Sequence, residues 1–238
     1  MAVTFKQLLN RALKITGEEQ IDSGSVILTD DVQIMLAEVC MELKEEVEDA
    51  HNWRSLRQQV TVAFASGETS NDITEANERS RLLRIHEPHY GELVPLVFDI
   101  TDASSPYRLR ELDLSELLRR RTMDPDSTND PAFFAIDNSS GDTLTLEIYP
   151  KPNVARTIQL DMCIPQARLD GEQSADLATN IKVPVRPITM ALVRYILEER
   201  GEELGINSQY SEEKEATALR DAISRDRAEA GDDSLVPE

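Results

Sequence analysis

The sequence predicts an α+β protein: a helical bundle from the N- and C-terminal helices, with a central, mainly antiparallel β domain (sheet or sandwich) inserted between them. Three observations carry this. Apolar residues recur with the 3.6-residue period of a helix face at both ends of the chain. In the middle the period changes to two, the mark of strands. Helical and strand segments come in runs, which indicates segregated layers rather than the alternation of a parallel α/β sheet. Neither helical end can bury its apolar stripe alone, so the two ends are expected to pack on each other. The predicted division is 1–55 with 184–230 as the bundle, 56–183 as the β domain, and 231–238 as a flexible C-terminal tail.

Phe5, Leu8, Leu9, Ala12 and Leu13 define the first helix, 4–16, with Thr4 as N-cap and Gly17 as its stop. The second helix, 30–52, opens at "TDD". Val32, Leu36, Val39, Leu43 and Val47 form its expected buried stripe, and Glu38, Glu42, Glu45, Glu46 and Glu48 its wet face. Trp53, the one tryptophan, stands where the helical period gives way to strands. It reads as a packing plug, or more sharply as an interface anchor.

Val60, Val62 and Phe64 then alternate with polar neighbours. "RLLRI" and "ELVPLVFDI" follow as strands, the second confined by Pro95 to an edge or bulge. "LDLSELLRRR" is a short helix capped near Asp113, and its Arg119, Arg120 and Arg121 read as a solvated helix end. Leu144, Leu146 and Ile148 alternate after a glycine-containing turn, a hairpin signal. Ile158, Leu160, Met162 and Ile164 repeat the alternation, and "ARLDGEQSADLATN" reads as polar loop. From Pro184 a helical face returns in Ile188, Ala191, Leu192, Tyr195 and Ile196. A last helix has only the thin stripe Ala216, Leu219 and Ile223, and the tail beyond it holds one apolar pair, Leu235 and Val236.

The 238 residues include 25 Lys plus Arg against 45 Asp plus Glu, a net charge of −20. That balance repels a phosphate backbone and argues against general nucleic-acid binding. Cys40 and Cys163 each sit in an apolar pattern and read as buried thiols. No apolar run is long enough to span a bilayer and no signal-peptide pattern opens the chain, so a cytosol-like compartment is expected. Phosphate-binding glycine loops, zinc-protease motifs and nucleophile elbows do not occur in the sequence. "HEPH", with His86 and His89, has metal-like spacing, but Pro88 breaks the helix that spacing needs. "DPDSTNDP" begins like a calcium loop at Asp124 and Asp126. It then has Asn129 where the glycine belongs and Ala135 where the glutamate belongs. No catalytic site, metal or cofactor is expected.

Four segments together resemble the head-to-tail adaptors (connectors) of tailed bacteriophages, the family that includes tail tubular protein A. They are "HNWRSLRQQVTV", a helix ending in tryptophan before a strand; "RLLRIHEPHYGELVPL"; the hairpin, Pro-x-Pro turn and strand of "FFAIDNSSGDTLTLEIYPKPNVARTIQLDMCIPQARL"; and the proline-started helix of "IKVPVRPITMALVRYILEERGEE". "NDITEANERS" departs from the family's tyrosine-leucine-proline step. The resemblance implies a virion protein at the head–tail junction, present in host cytoplasm during assembly. It implies a homo-oligomeric ring of about twelve copies beneath the portal protein. The ring would meet a tail nozzle or tail tube protein below, and DNA would pass through it without specific binding. It also gives Leu235 and Val236 a role, seated on the portal or a neighbouring subunit. The alternative is an acidic protein-binding or DNA-mimic module with no virion role.

Overall fold

The computed structural model describes residues 2–22, 24–25, 27–86, 93–139, 143–169, 171, 175–199 and 206–230. In chain order the elements are β1 (Val3–Thr4), α1 (Phe5–Thr16), α2 (Asp31–Asp49), a 3-10 turn (Arg54–Leu56), β2 (Arg57–Phe64), β3 (Ser70–Asp72), β4 (Arg81–Leu82) and β5 (Arg84–His86). Then come β6 (Leu93–Pro95), β7 (Val97–Asp99), β8 (Tyr107–Arg108), β9 (Arg110–Glu111), α3 (Leu114–Met123), β10 (Phe133–Asp137) and β11 (Thr145–Tyr149). The chain ends with β12 (Arg156–Cys163), β13 (Asn180–Ile181), α4 (Val185–Glu199) and α5 (Ile206–Ala230). The fold is α+β. It divides into two compact units: a helical one joining the stretch up to Leu56 with the stretch from Gln166, and a β one spanning Arg57–Pro165. No helix among the described residues is long and apolar enough to cross a membrane.

In the helical unit, local chemistry sets both ends of α1. The Thr4 hydroxyl accepts the Gln7 N–H at 3.2 Å and the Gln7 side chain accepts the Thr4 N–H at 3.2 Å, a reciprocal cap. Gly17 closes the helix in the left-handed region, φ 75°. Asp30 caps α2 by accepting from Val32 and Gln33. α4 packs against α1, α2 and α5.

The buried face of α2 differs from the expected stripe. It runs through Leu36, Ala37, Cys40, Met41, Lys44, Val47 and Glu48, whereas Val32 is exposed and Val39 and Leu43 are half-buried. Glu48, expected in water, is fully buried because Lys44, one turn earlier and equally buried, pairs with it at 3.0 Å. Mutual neutralisation is what admits two such charges to an interior.

The segment from Gln166 to Val183 also departs from expectation: it belongs to the helical unit. Leu169, Leu177, Ile181 and Val183 are buried, β13 pairs antiparallel with β1, and the Phe5 N–H donates to the Thr179 carbonyl at 2.9 Å. Gly171 holds φ 79° where a Cβ would lie 2.7 Å from Leu28 Cδ1, so both backbone and space require glycine.

The β unit is a sandwich. One sheet has the order β2-β12-β7-β8, with β4 also on β12; the other has the order β3-β11-β10-β9. Only β9–β10 is parallel among these pairs. Val62, Phe64 and Leu160 from the first sheet share one core with Phe134, Leu146 and Ile148 from the second. Among the described residues β6, which carries Pro95, pairs with β5 alone, the edge position that a missing N–H allows.

α3 covers the other face of β10 and β11, so those strands are buried on both sides and Ala135 and Glu147 are nearly inaccessible. The arginine run is therefore more than a solvated helix end. Arg119 stays exposed and pairs with Glu116, whose carboxyl the Arg119 and Arg120 hydrogen bonds hold down to about 2. Arg120 lies 4.7 Å above the Phe133 ring. Arg121 pairs with Glu147 at 2.5 Å and donates to the carbonyls of Thr69 and Ile148 at 2.7 and 2.8 Å, fixing α3 to the sheet.

Candidate functional site

The polar chemistry of the helical unit converges at the C-terminal end of α2. Trp53 is 1% exposed, and its indole N–H donates to the Val47 carbonyl at 2.5 Å. Its ring meets His51 edge-on, with centroids 5.0 Å apart. Burial on this scale is the reverse of what an exposed interface anchor requires, so Trp53 acts inside the subunit. His51, also buried, places Nε2 3.1 Å from Asp226 Oδ2 on α5. The same carboxylate accepts the Arg54 backbone N–H at 3.2 Å, and the Arg54 guanidinium donates to the Glu229 carbonyl at 2.9 Å, in the last turn of α5. A cation at a helix C-terminus is a favourable placement. The turn after α2 is thus a polar socket for the end of α5.

Polar contacts matter here because few of the described side chains of α5 bury apolar surface: Ala218 is buried, Leu219 and Ile223 are half-buried, and Ala216 is exposed. Beneath its first half lies a groove of about 390 Å³ between α2, α4 and α5, with Leu43, Val47, Ile188 and Leu219 on its apolar side. Arg194 bridges the rim, 3.2 Å from Glu215 and 3.6 Å from Glu212.

The Glu215 carboxyl is pushed above the ordinary glutamate range, first by burial and then by repulsion from Glu46, Glu212 and Glu198, against the pull of Arg194. A carboxylate whose folded pKa is raised binds protons more readily in the folded state. Its contribution is present below the unfolded pKa and is lost as pH rises through the folded one. Glu215→Gln is therefore expected to flatten the pH dependence of stability just above the ordinary glutamate range. It should also leave the melting temperature at pH 7 equal or higher; a clear drop there would show that the Arg194 pairing outweighs burial.

The remaining buried charges are structural. Lys44 Nζ donates to the Gln166 carbonyl at 3.0 Å and the Gln166 N–H donates to Glu48 Oε1 at 3.2 Å, tying the returning chain to α2. In the β unit, Asp99 accepts the Tyr107 hydroxyl and the Thr101 N–H, each at 2.9 Å, and faces Arg156, which also pairs with Asp130. Burial and the bond to Asp99 push the Tyr107 hydroxyl far up, so it stays protonated. Both cysteines are buried outside any disulfide, and burial raises the Cys40 thiol strongly.

Among the described residues no group of three or more His, Cys, Asp or Glu side chains is arranged to hold a metal ion. His86 ends β5, while His89, Leu235 and Val236 lie outside the described residues. The sequence reading missed His51, Arg54 and Asp226 as partners; their one local signal is a histidine two residues before the buried tryptophan. No protein-family model and no curated protein matches the chain.

Proposed function

We propose that this chain is a subunit of the head-to-tail connector of a tailed bacteriophage, a structural protein without catalysis or cofactor. In this reading several copies, about twelve, form a ring that joins the portal to a tail nozzle or tail tube and lets DNA pass. The observation that carries it is the order of the segments. A helix is followed, four residues on, by a buried tryptophan, a 3-10 turn and a strand; a hairpin leads into a long strand; and a helix started near prolines returns to the first helices. The charge of −20 per copy fits a conduit, because a negative wall gives DNA no lasting hold. The same charge opposes ring closure in free solution and favours assembly on a template.

The test is a pull-down and negative-stain imaging of the full chain with a portal protein from the same genome, against a chain lacking 231–238. Portal-bound rings are expected for the full chain. The truncated chain should melt at the same temperature and bind the portal more weakly. Absence of portal binding by the full chain would overturn the reading, and equal binding by both would remove Leu235 and Val236 from it.

A further inference from the structure

The β unit carries a concave basic spot in an otherwise acidic chain. Arg108, Leu109 and Arg110 run from β8 into β9. Leu109 is buried and both arginines are exposed, as a period of two dictates when the middle side chain points inward. The backbone is held there by Leu109 N–H to the Val97 carbonyl at 3.0 Å and Arg110 N–H to the Ala132 carbonyl at 2.9 Å. Beside them lies a cleft of about 480 Å³ whose other walls include Tyr107, Asp130 and Phe133.

The neighbouring acids are already engaged. Asp130 pairs with Arg156, Glu111 with Arg84 at 2.9 Å, and Glu116 with Arg119 and Arg120. Among the described residues Arg110 makes no ion pair. An exposed guanidinium on a backbone held in place, beside a cleft walled by Tyr107 and Phe133, calls for a carboxylate.

We infer that this cleft docks the acidic face of α2 from a second copy of the chain. Glu38 and Glu42 are exposed one turn apart on α2, and Met35, 39% exposed, precedes Glu38 by three residues on the same side. Side chains one turn apart are separated by about 5–6 Å. Side chains two residues apart on an extended chain are separated by roughly 6.6 Å. One carboxylate of the pair can thus meet Arg110 with the other lying on the Arg108 side, while the Met35 thioether reaches the Tyr107 and Phe133 rings, a favourable sulfur–aromatic pairing. At a net charge of −20, copies repel one another except where opposite charges are juxtaposed, so such a contact sets both partner and orientation. The cleft and the acidic face are different surfaces, so each copy offers one of each. A contact of that kind repeats head to tail and closes into a ring when its rotation allows. The closed ring, though not the contact, rests on the connector reading.

The test uses full-length chains and sedimentation velocity at low and high salt. Four samples are compared: wild type, R108E/R110E, E38K/E42K, and an equimolar mixture of the two variants, with unchanged melting curves as the folding control. Wild type is expected to associate in a salt-sensitive way, and each variant alone should weaken association at least tenfold. The mixture should restore it, because every cleft then faces an α2 of opposite charge. Wild-type-like association by R108E/R110E, or failure of the mixture to recover, would overturn the contact, as would a wild type monomeric both free and on the portal. A fluorescent single-stranded oligonucleotide that binds wild type and is lost in R108E/R110E would assign the cleft to nucleic acid instead. Self-association without portal binding would sink the connector reading alone; unchanged portal-bound rings of R108E/R110E would sink this contact alone.

Discussion

Lys44→Met alone is expected to destabilise the helical unit by about 3–5 kcal/mol, because it removes the ammonium paired with a buried carboxylate. Lys44 and Glu48 are both fully buried, so no water can replace the lost ammonium. The Gln166 carbonyl loses its donor as well. The double variant Lys44→Met/Glu48→Leu removes both charges and should recover much of the loss. Recovery stops short of complete because the Gln166 N–H and carbonyl remain unmatched, at about 1–3 kcal/mol for each buried group. Urea titration followed by helical circular dichroism reads both effects. If the single and double variants lose the same stability, the charge pairing is not what holds this region.

Trp53→Ala should cost about 3–5 kcal/mol, the range for deleting a large buried aromatic. Trp53→Phe separates the two contributions. It keeps most of the ring and removes the N–H that reaches the Val47 carbonyl, for about 1–3 kcal/mol. An anchor that served only a partner would leave the melt of the isolated subunit nearly unmoved, so a melting curve of Trp53→Ala close to wild type would restore that role.

These two sites also mark where the sequence was readable and where it was not. The ends of α1 were legible because a cap is local: Thr4, Gln7 and Gly17 act within a turn of the residues they satisfy. β2 and β12 were legible because each alternates buried positions with less buried ones for most of its length. The face of α2 was not. Periodicity counts Lys44 and Glu48 as polar, and the partner that holds them inside lies 122 residues away from Lys44 in sequence. Leu169 and Leu177 stand alone in polar surroundings and generate no period, so the stretch 167–180 reads as loop. The Asp226 socket joins residues 175 apart, and nothing near either one in sequence announces the other.

The register of the β unit has a consequence for modularity. Its first strand, β2, and its last, β12, are direct antiparallel neighbours, with Arg57 opposite Cys163. Opposed residues in such a ladder lie only about 4.5–5.5 Å apart. The helical unit therefore surrenders its chain and receives it back through a gap no wider than a tight hairpin would leave. A flexible insertion of roughly a hundred residues would levy a loop-closure entropy on its host. Here the insertion closes itself by pairing its own ends, so the host experiences a short connection. Loops at the far end of the sandwich can thus lengthen, shorten or exchange without disturbing the junction, and the β unit can vary as a cassette carried by a constant helical frame.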